Sequence, residues 1–383
     1  MMKGLFFGIG VALALSGCQQ KDPYEDNPTP AAVAKTDALA VDMFRHVVAH
    51  EKEGNVVFSP ASAEAALLML REGAAGQTRA ELAALPYGKQ GVQSSVQVET
   101  ANALFAAENL KLKPTGVKDI HRAPFERNRA QALRDVNTWC SRNTHGRIST
   151  LLQPQDIDAN TRLSALNAVY LKGLWAEEFD KNATQKEPFI HPGGSTSLVQ
   201  MMHKTAPFPL AEGKDWQAVA LPYRATSGRG EPCYFIAILP SGDARAFAAA
   251  LTPQKLESIR SSLRRAGKTK IALALPRFKT EMPAFSLSTP LRALGVRAAF
   301  SGSADFSGFT DEPLRLSDVR QKCFVQVDEQ GTEAAAVTAA IMTRGISHPP
   351  RSVRFDRPFL WIIGDLPTDA PPYFMGLLEE VQN

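Results

Sequence analysis

Six apolar runs in the later part of the chain constrain its fold more than any other feature. "LSALNAVYLKG", "CYFIAILP", "KIALALPRF", "KCFVQVD", "RPFLWIIGD" and "PYFMGLLEEV" are each of strand length and rich in aliphatic and aromatic residues. Runs that do not alternate with polar residues suit strands buried on both faces. They therefore predict sheet covered by other layers. Helical signals come earlier. In "FSPASAEAALLMLREGAAG", Ser59 is placed as N-cap and Pro60 as the first helical residue, while Ala63, Ala66, Leu67 and Leu70 recur at helical spacing and Gly73 supplies a stop. "TRAEL" puts Thr78 and Glu81 in capping-box register, and "RAQALRDVNTWCSRNTHG" predicts another helix ending near Gly146. Helices early and sheet later predict an α+β fold. With no internal repeat and no linker beyond the N-terminal segment, one large domain over residues 34–383 is expected.

The N-terminus carries an address. "MMKGLFFGIGVALALSGCQQ" has Lys3, an apolar run from Leu5 to Leu15, then small residues and Cys18. The run is too short to span a bilayer and has the layout of a secretory signal. Leu15-Ser16-Gly17-Cys18 resembles a bacterial lipobox, which implies removal of residues 1–17 and lipidation of Cys18. Residues 18–33, polar and proline-punctuated, suit a flexible tether. The expected location is the cell envelope, lipid-anchored (outer membrane or periplasmic face if the cell is Gram-negative), or the medium after processing. Membrane contact is expected through this lipid alone.

Catalytic and metal signatures are scarce. No GxSxG or HExxH occurs, "GGSTS" reads as a hairpin turn, and "AGKTK" lacks the upstream glycine of a phosphate loop. His46 and His50 lie one helical turn apart without a third ligand nearby in sequence. No metal or cofactor is expected. Lys and Arg exceed Asp and Glu by 43 to 39, too little to imply nucleic-acid binding. The arginine-rich piece with Arg122, Arg127, Arg129 and Arg134 reads as a solvated face. Beyond Cys18 there are Cys140, Cys233 and Cys323, an odd number without a CxxC pair. Cys233 and Cys323, set in apolar runs, are expected as small buried hydrophobes. A disulfide between two of the three stays open in an oxidising compartment.

One segment fits neither helix nor ordinary strand. "DEQGTEAAAVTAAIMTRGISHPP" (328–350) mixes alanines with β-branched Thr332, Val337 and Thr338. It resembles the hinge of the serpins, the serine-protease inhibitor family, and the likeness continues along the chain. Asn55, Ser59, Pro60, Ser62 and Gly73 match an early helix motif. Asn137, Trp139, Thr144, Gly146 and Ile148 match the family's NxW…TxGxI segment. Asn167, Lys172, Gly173, Trp175 and Phe179 resemble its breach, and "ADFSGF", Phe359, Phe374 and Gly376 its late motifs. Six motifs in order cover nearly all of the chain after its signal.

The resemblance implies a serpin fold: about three β-sheets, eight or nine helices and an exposed reactive-centre loop. It implies an irreversible inhibitor of serine proteases and not an enzyme. The protease cleaves the loop and is held as a covalent acyl-enzyme while the hinge inserts as a new strand of the central sheet. The partner is thus a serine protease, and the inhibitor is expected as a monomer. The hinge residues are Glu329, Gly331, Thr332, Glu333, Ala334, Ala335, Ala336, Val337 and Thr338. If Thr332 points inward, period-two alternation sends Ala334, Ala336 and Thr338 inward too, and all are small. A bulky side chain there would cost about 1–3 kcal/mol in overpacking. No proline lies between Gly331 and Arg344, so every residue can donate to a ladder.

The scissile bond is expected at Arg344–Gly345, an arginine suiting an acidic trypsin-type pocket. The usual family count lands on Gly345 instead, and Gly345–Ile346 and Ile346–Ser347 remain alternatives, the last an elastase-type bait. A shutter of Ser59, Ser62, Asn167 and Gln321 and a breach containing Trp175 and Phe179 complete the implied site. Gln321 departs from the family, which commonly has histidine there, and this puts the usual shutter bonding in question. Two other functions compete. A non-inhibitory binding protein of the same fold should carry bulky or proline substitutions in its hinge. A hydrolase with a dispersed site should show turnover.

Overall fold

The structure is a computed structural model, which describes residues 30–88, 96–225, 232–332, 349–366 and 370–381. Helix α1 (Pro30–His50) leads to β1 (Val56–Phe58) and helices α2 (Pro60–Gly73) and α3 (Gly76–Ala83). Strands β2 (Gln97–Ala107) and β3 (Ile120–Ala123), helix α4 (Arg129–Asn143) and strand β4 (Leu163–Leu174) follow. Next come β5 (Gln185–Ile190), β6 (Thr196–Glu212), β7 (Trp216–Pro222), β8 (Cys233–Pro240), and helices α5 (Ala244–Ala249) and α6 (Pro253–Arg265). The remainder is β9 (Lys268–Pro276), β10 (Phe278–Glu281), β11 (Phe285–Ser286), α7 (Ser288–Ala293) and β12 (Asp318–Val327). It closes with β13 (Gly331–Thr332), β14 (Arg351–Arg354), β15 (Phe359–Asp365) and β16 (Phe374–Leu378).

The six apolar runs all become strands, and β15 and β16 are buried at every position. Two hydrogen-bonded sheets result, where three were expected. One has seven strands, ordered β10-β12-β13-β4-β2-β3 with β11 on β12. The other has nine, ordered β1-β16-β15-β8-β7-β6-β9-β14 with β5 on β6. The merger has a simple cause. Strand β6 is 17 residues long, so Met201–Pro209 pairs with β9 while Leu210–Glu212 pairs with β7. Two sheets thereby share one strand. The described residues hold seven α-helices, short of the expected eight or nine. Between β2 and β3, Pro114 and Gly116 interrupt a stretch that carries no helix.

Helix boundaries show where local signals are overridden. Ser59 does sit at the N-cap of α2, yet its hydroxyl makes no cap bond and donates to the Tyr373 carbonyl at 2.7 Å. Helix α3 starts at Gly76, which puts Thr78 inside it. Thr78 Oγ1 accepts from Asp305 N, and Glu81 Oε2 accepts from Arg297 and Ala298 N. Both side chains that looked like a capping box tie α3 to distant chain instead.

The core lies between the sheets, where Phe235 stacks on Trp361 with centroids 5.9 Å apart and Phe278 lies 6.0 Å from the same ring. Gly376 faces Trp361 across the β15–β16 pair, and a Cβ there would fall 2.1 Å from the indole. Only glycine fits against that ring. Cys140, Cys233 and Cys323 are buried, with no disulfide among the described residues. Burial pushes the Cys140 thiol up to about 12 and the Cys323 thiol higher still.

Candidate functional site

The seven-stranded sheet contains a seam. Strands β4 and β12 pair directly and in parallel from Ser164↔Asp318 to Tyr170↔Phe324. Above those seven pairs they part around β13, with Gly331 opposite Leu174, Thr332 opposite Gly173 on one side, and Thr332 opposite Val327 on the other. Strand β13 runs antiparallel to both neighbours. Its direct continuation would travel down the seam, exchanging one parallel ladder for two antiparallel ones.

A tight turn starts this wedge. Asp328 N donates to Gly331 O at 2.9 Å, and Asp328 Oδ1 accepts from Gln330 N at 2.9 Å. Gly331 has φ +152°, and a Cβ there would sit 2.0 Å from Gly173 O. Both conformation and space demand glycine.

The segment after β4 cradles the turn's backbone. Trp175 Nε1 donates to Asp328 O, Trp175 N to Gln330 O and Phe179 N to Glu329 O, at 2.8–2.9 Å. Three consecutive carbonyls are satisfied this way, which lets a polar turn sit buried. The Trp175 ring stacks on Tyr223 at 4.8 Å and 11°, with Phe179 and Phe235 at its edges. Tyr223 Oη in turn lies 2.6 Å from Thr332 Oγ1, and both residues are buried. Burial raises the Tyr223 phenol well above its usual range, the Thr332 bond opposing the rise. The Glu329 carboxylate, 5% exposed, accepts from Thr184 Oγ1 at 2.8 Å and faces Arg277 at 3.9 Å.

The structure brings all four shutter residues together beneath the seam. Register places Asn102, Asn167 and Gln321 side by side across β2, β4 and β12. Asn167 Nδ2 donates to Ser62 O at 3.0 Å and also contacts Ser62 Oγ and Asn102 Oδ1. Gln321 Nε2 donates to Asn167 Oδ1 at 2.8 Å and to Ser59 O at 3.0 Å, while its Oε1 accepts from Ser59 N at 2.8 Å. A wholly buried amide thus uses both ends, so the bonds that the departure from histidine put in question are made by Gln321. Being uncharged, this network carries no proton to lose or gain at neutral pH.

Asn102, Thr184, Tyr223 and Tyr373 belong to the site and were missed in the sequence. Asn102 left a weak signal: like Asn167, it is an amide flanked on both sides by apolar residues within a strand. The others gave none, because their partners lie at least 109 residues away.

The seam is also strapped from outside. Asn137 of α4 holds the chain that follows, accepting from Leu151 N and Leu152 N. Lys322 Nζ of β12 then donates to Thr150 O at 3.0 Å. Helix α4 itself packs on β2 and β3. One continuous piece therefore crosses from one side of the seam to the other. Hinge residues Glu333, Ala334, Ala335, Ala336, Val337 and Thr338 lie outside the described residues. So do Arg344 and Gly345 of the expected scissile bond, the alternative bait Ile346, and Cys18.

Comparison with known proteins agrees with this architecture. The family profile described as Serpin (serine protease inhibitor) matches residues 34–380. A serpin-like protein of Thermococcus kodakarensis is 32% identical over 386 aligned positions, covering 93% of this chain and 87% of its own. The leukocyte elastase inhibitor of Bos taurus is 31% identical, covering 90% of this chain and 98% of that protein. The thermophilic serpin tengpin in its native state superposes with a TM-score of 0.78 at 26% identity, over 93% of this chain and 96% of tengpin.

Proposed function

Since the chain belongs to the serpin family, whose description is serine protease inhibitor, we propose that it traps a trypsin-like serine protease by loop insertion. The protease's serine oxygen attacks the Arg344 carbonyl and the Arg344–Gly345 bond breaks. Gly345 leaves as a free amine, and Arg344 remains as an ester on the enzyme. The hinge, released at one end, then runs down the β4–β12 seam and carries the tethered protease with it. Inhibition is a race between this insertion and hydrolysis of the ester. The protein is consumed in the process and does not turn over.

One observation carries the proposal: β13 already occupies the top of the seam, antiparallel to both flanking strands and in register to continue. Arg344 supplies the specificity through charge-assisted bonds to an acidic pocket. Cys18 lipidation would display the inhibitor at the cell envelope.

The test is to mix the protein with trypsin and examine the products on a denaturing gel. The expected product is a covalent complex containing both chains, plus a released peptide that begins at Gly345. Loop cleavage with no complex would overturn the inhibitory function. A complex whose peptide begins at Ser347 would move the bait to Ile346 and the target class to elastase-like enzymes.

A further inference from the structure

A cavity lies apart from the seam, between helix α4 and the edge strand β3. It is an open cavity of about 440 Å³ whose lining includes Phe105, His121, Arg122, Asp135, Trp139 and Arg142. That volume falls within the ordinary range for small-molecule sites. Its walls are aromatic. The His121 ring stacks on Phe105 with centroids 5.0 Å apart and 26° between planes, and Trp139 stands edge-on to Phe105 at 5.4 Å. The gap between His121 and Trp139 is 6.1 Å between ring centroids.

The charges of the lining are unequal. Two guanidiniums, Arg122 and Arg142, face one carboxylate, Asp135. Asp135 Oδ1 already accepts from Gln131 Nε2 at 2.7 Å, and Arg122 NH1 is occupied by the Glu108 and Leu110 carbonyls at 2.8 Å. Arg142 is exposed at the last turn of α4 and forms no ion pair among the described residues.

We propose that this cavity binds a small planar aromatic monoanion. Its ring lies against the aromatic walls of His121, Phe105 and Trp139, and its acidic group meets Arg142. One negative charge matches the surplus of one cation in the lining. The site uses none of the hinge or shutter residues.

The test is titration of the purified protein with 2-naphthoate, followed by calorimetry and by tryptophan fluorescence. Saturable one-to-one binding is expected. Arg142→Ala should weaken it about tenfold, the loss of one charge-assisted contact, and His121→Ala by a similar factor. Naphthalene-2-methanol, the same body without the charge, should bind at least about tenfold more weakly. Trp139→Phe should abolish the fluorescence change while calorimetric binding persists. Absence of saturable binding up to about 5 mM, or affinity unchanged in both Arg142→Ala and His121→Ala, overturns the proposal.

Discussion

Arginine at position 332 is the change the seam can least absorb. Thr332 is wholly buried, its Oγ1 lies 2.6 Å from Tyr223 Oη, and it faces Gly173 and Val327. In the resting protein, Thr332→Arg can relieve itself by withdrawing Gly331–Thr332 from between β4 and β12. That forfeits a two-residue strand and leaves the Tyr223 hydroxyl without its partner, together about 2–4 kcal/mol. The protein should therefore fold, with a melting temperature lowered by several degrees. After cleavage no such escape exists, because insertion begins at position 332. Carrying the strand past the seven β4–β12 pairs replaces one ladder by two. The net gain is about seven hydrogen bonds, or about 4–10 kcal/mol. An unpaired buried guanidinium costs several kcal/mol and removes most of that gain. If about 3 kcal/mol of the cost reaches the transition state, insertion slows by about a hundredfold and hydrolysis wins. A denaturing gel after incubation with trypsin should show the covalent complex reduced to a trace and the loop-cleaved inhibitor in its place. A wild-type yield of complex would refute the insertion argument.

Three further outcomes are expected. The wild-type shutter has no titrating member, so Gln321→His should add a pH dependence to that of the parent, in which buried Asp37, raised to about 6, already titrates. Burial disfavours the imidazolium, so the histidine's folded pKa falls below its unfolded value, and stability should be lost as pH drops through about 6.5; urea midpoints from pH 5 to 8 would measure it. The Tyr223 phenol is raised by burial, so its contribution is intact below the unfolded value near 10 and is lost as pH rises beyond it. Tyr223→Phe should flatten that alkaline slope in urea midpoints between pH 9 and 11, and lower stability by about 1 kcal/mol at neutral pH through loss of the Thr332 bond. Finally, if Cys18 is the lipid anchor, Cys18→Ser should move the protein from the membrane fraction to the soluble fraction and abolish incorporation of labelled palmitate; unchanged membrane association would refute the anchor.

Much of this molecule was legible in its linear order because local chemistry decides local structure. Apolar runs such as "CYFIAILP" became strands with little ambiguity, and Pro60 and Gly73 bounded α2 as their backbone preferences require. The wedge at Gly331 and Thr332 and the shutter residue Asn167 were marked by the family resemblance of their motifs and not by any local propensity. Other features depend on contacts no window of sequence contains. Ser59 had the right place for a cap, but its hydroxyl reaches a carbonyl 314 residues away. Thr78 and Glu81 had capping-box spacing, yet neighbours beyond residue 296 claim them.

By itself, then, the sequence determined which segments extend, which coil, and which residues are small enough to enter a packed sheet. Only the tertiary structure decided that β6 joins two sheets into one, that Tyr223 receives Thr332, and that Gln321 satisfies the shutter with both ends of its amide. The reason is physical. Backbone preference and side-chain volume belong to a residue wherever it stands. A buried hydrogen bond exists only once packing has brought two distant groups together and taken water from both.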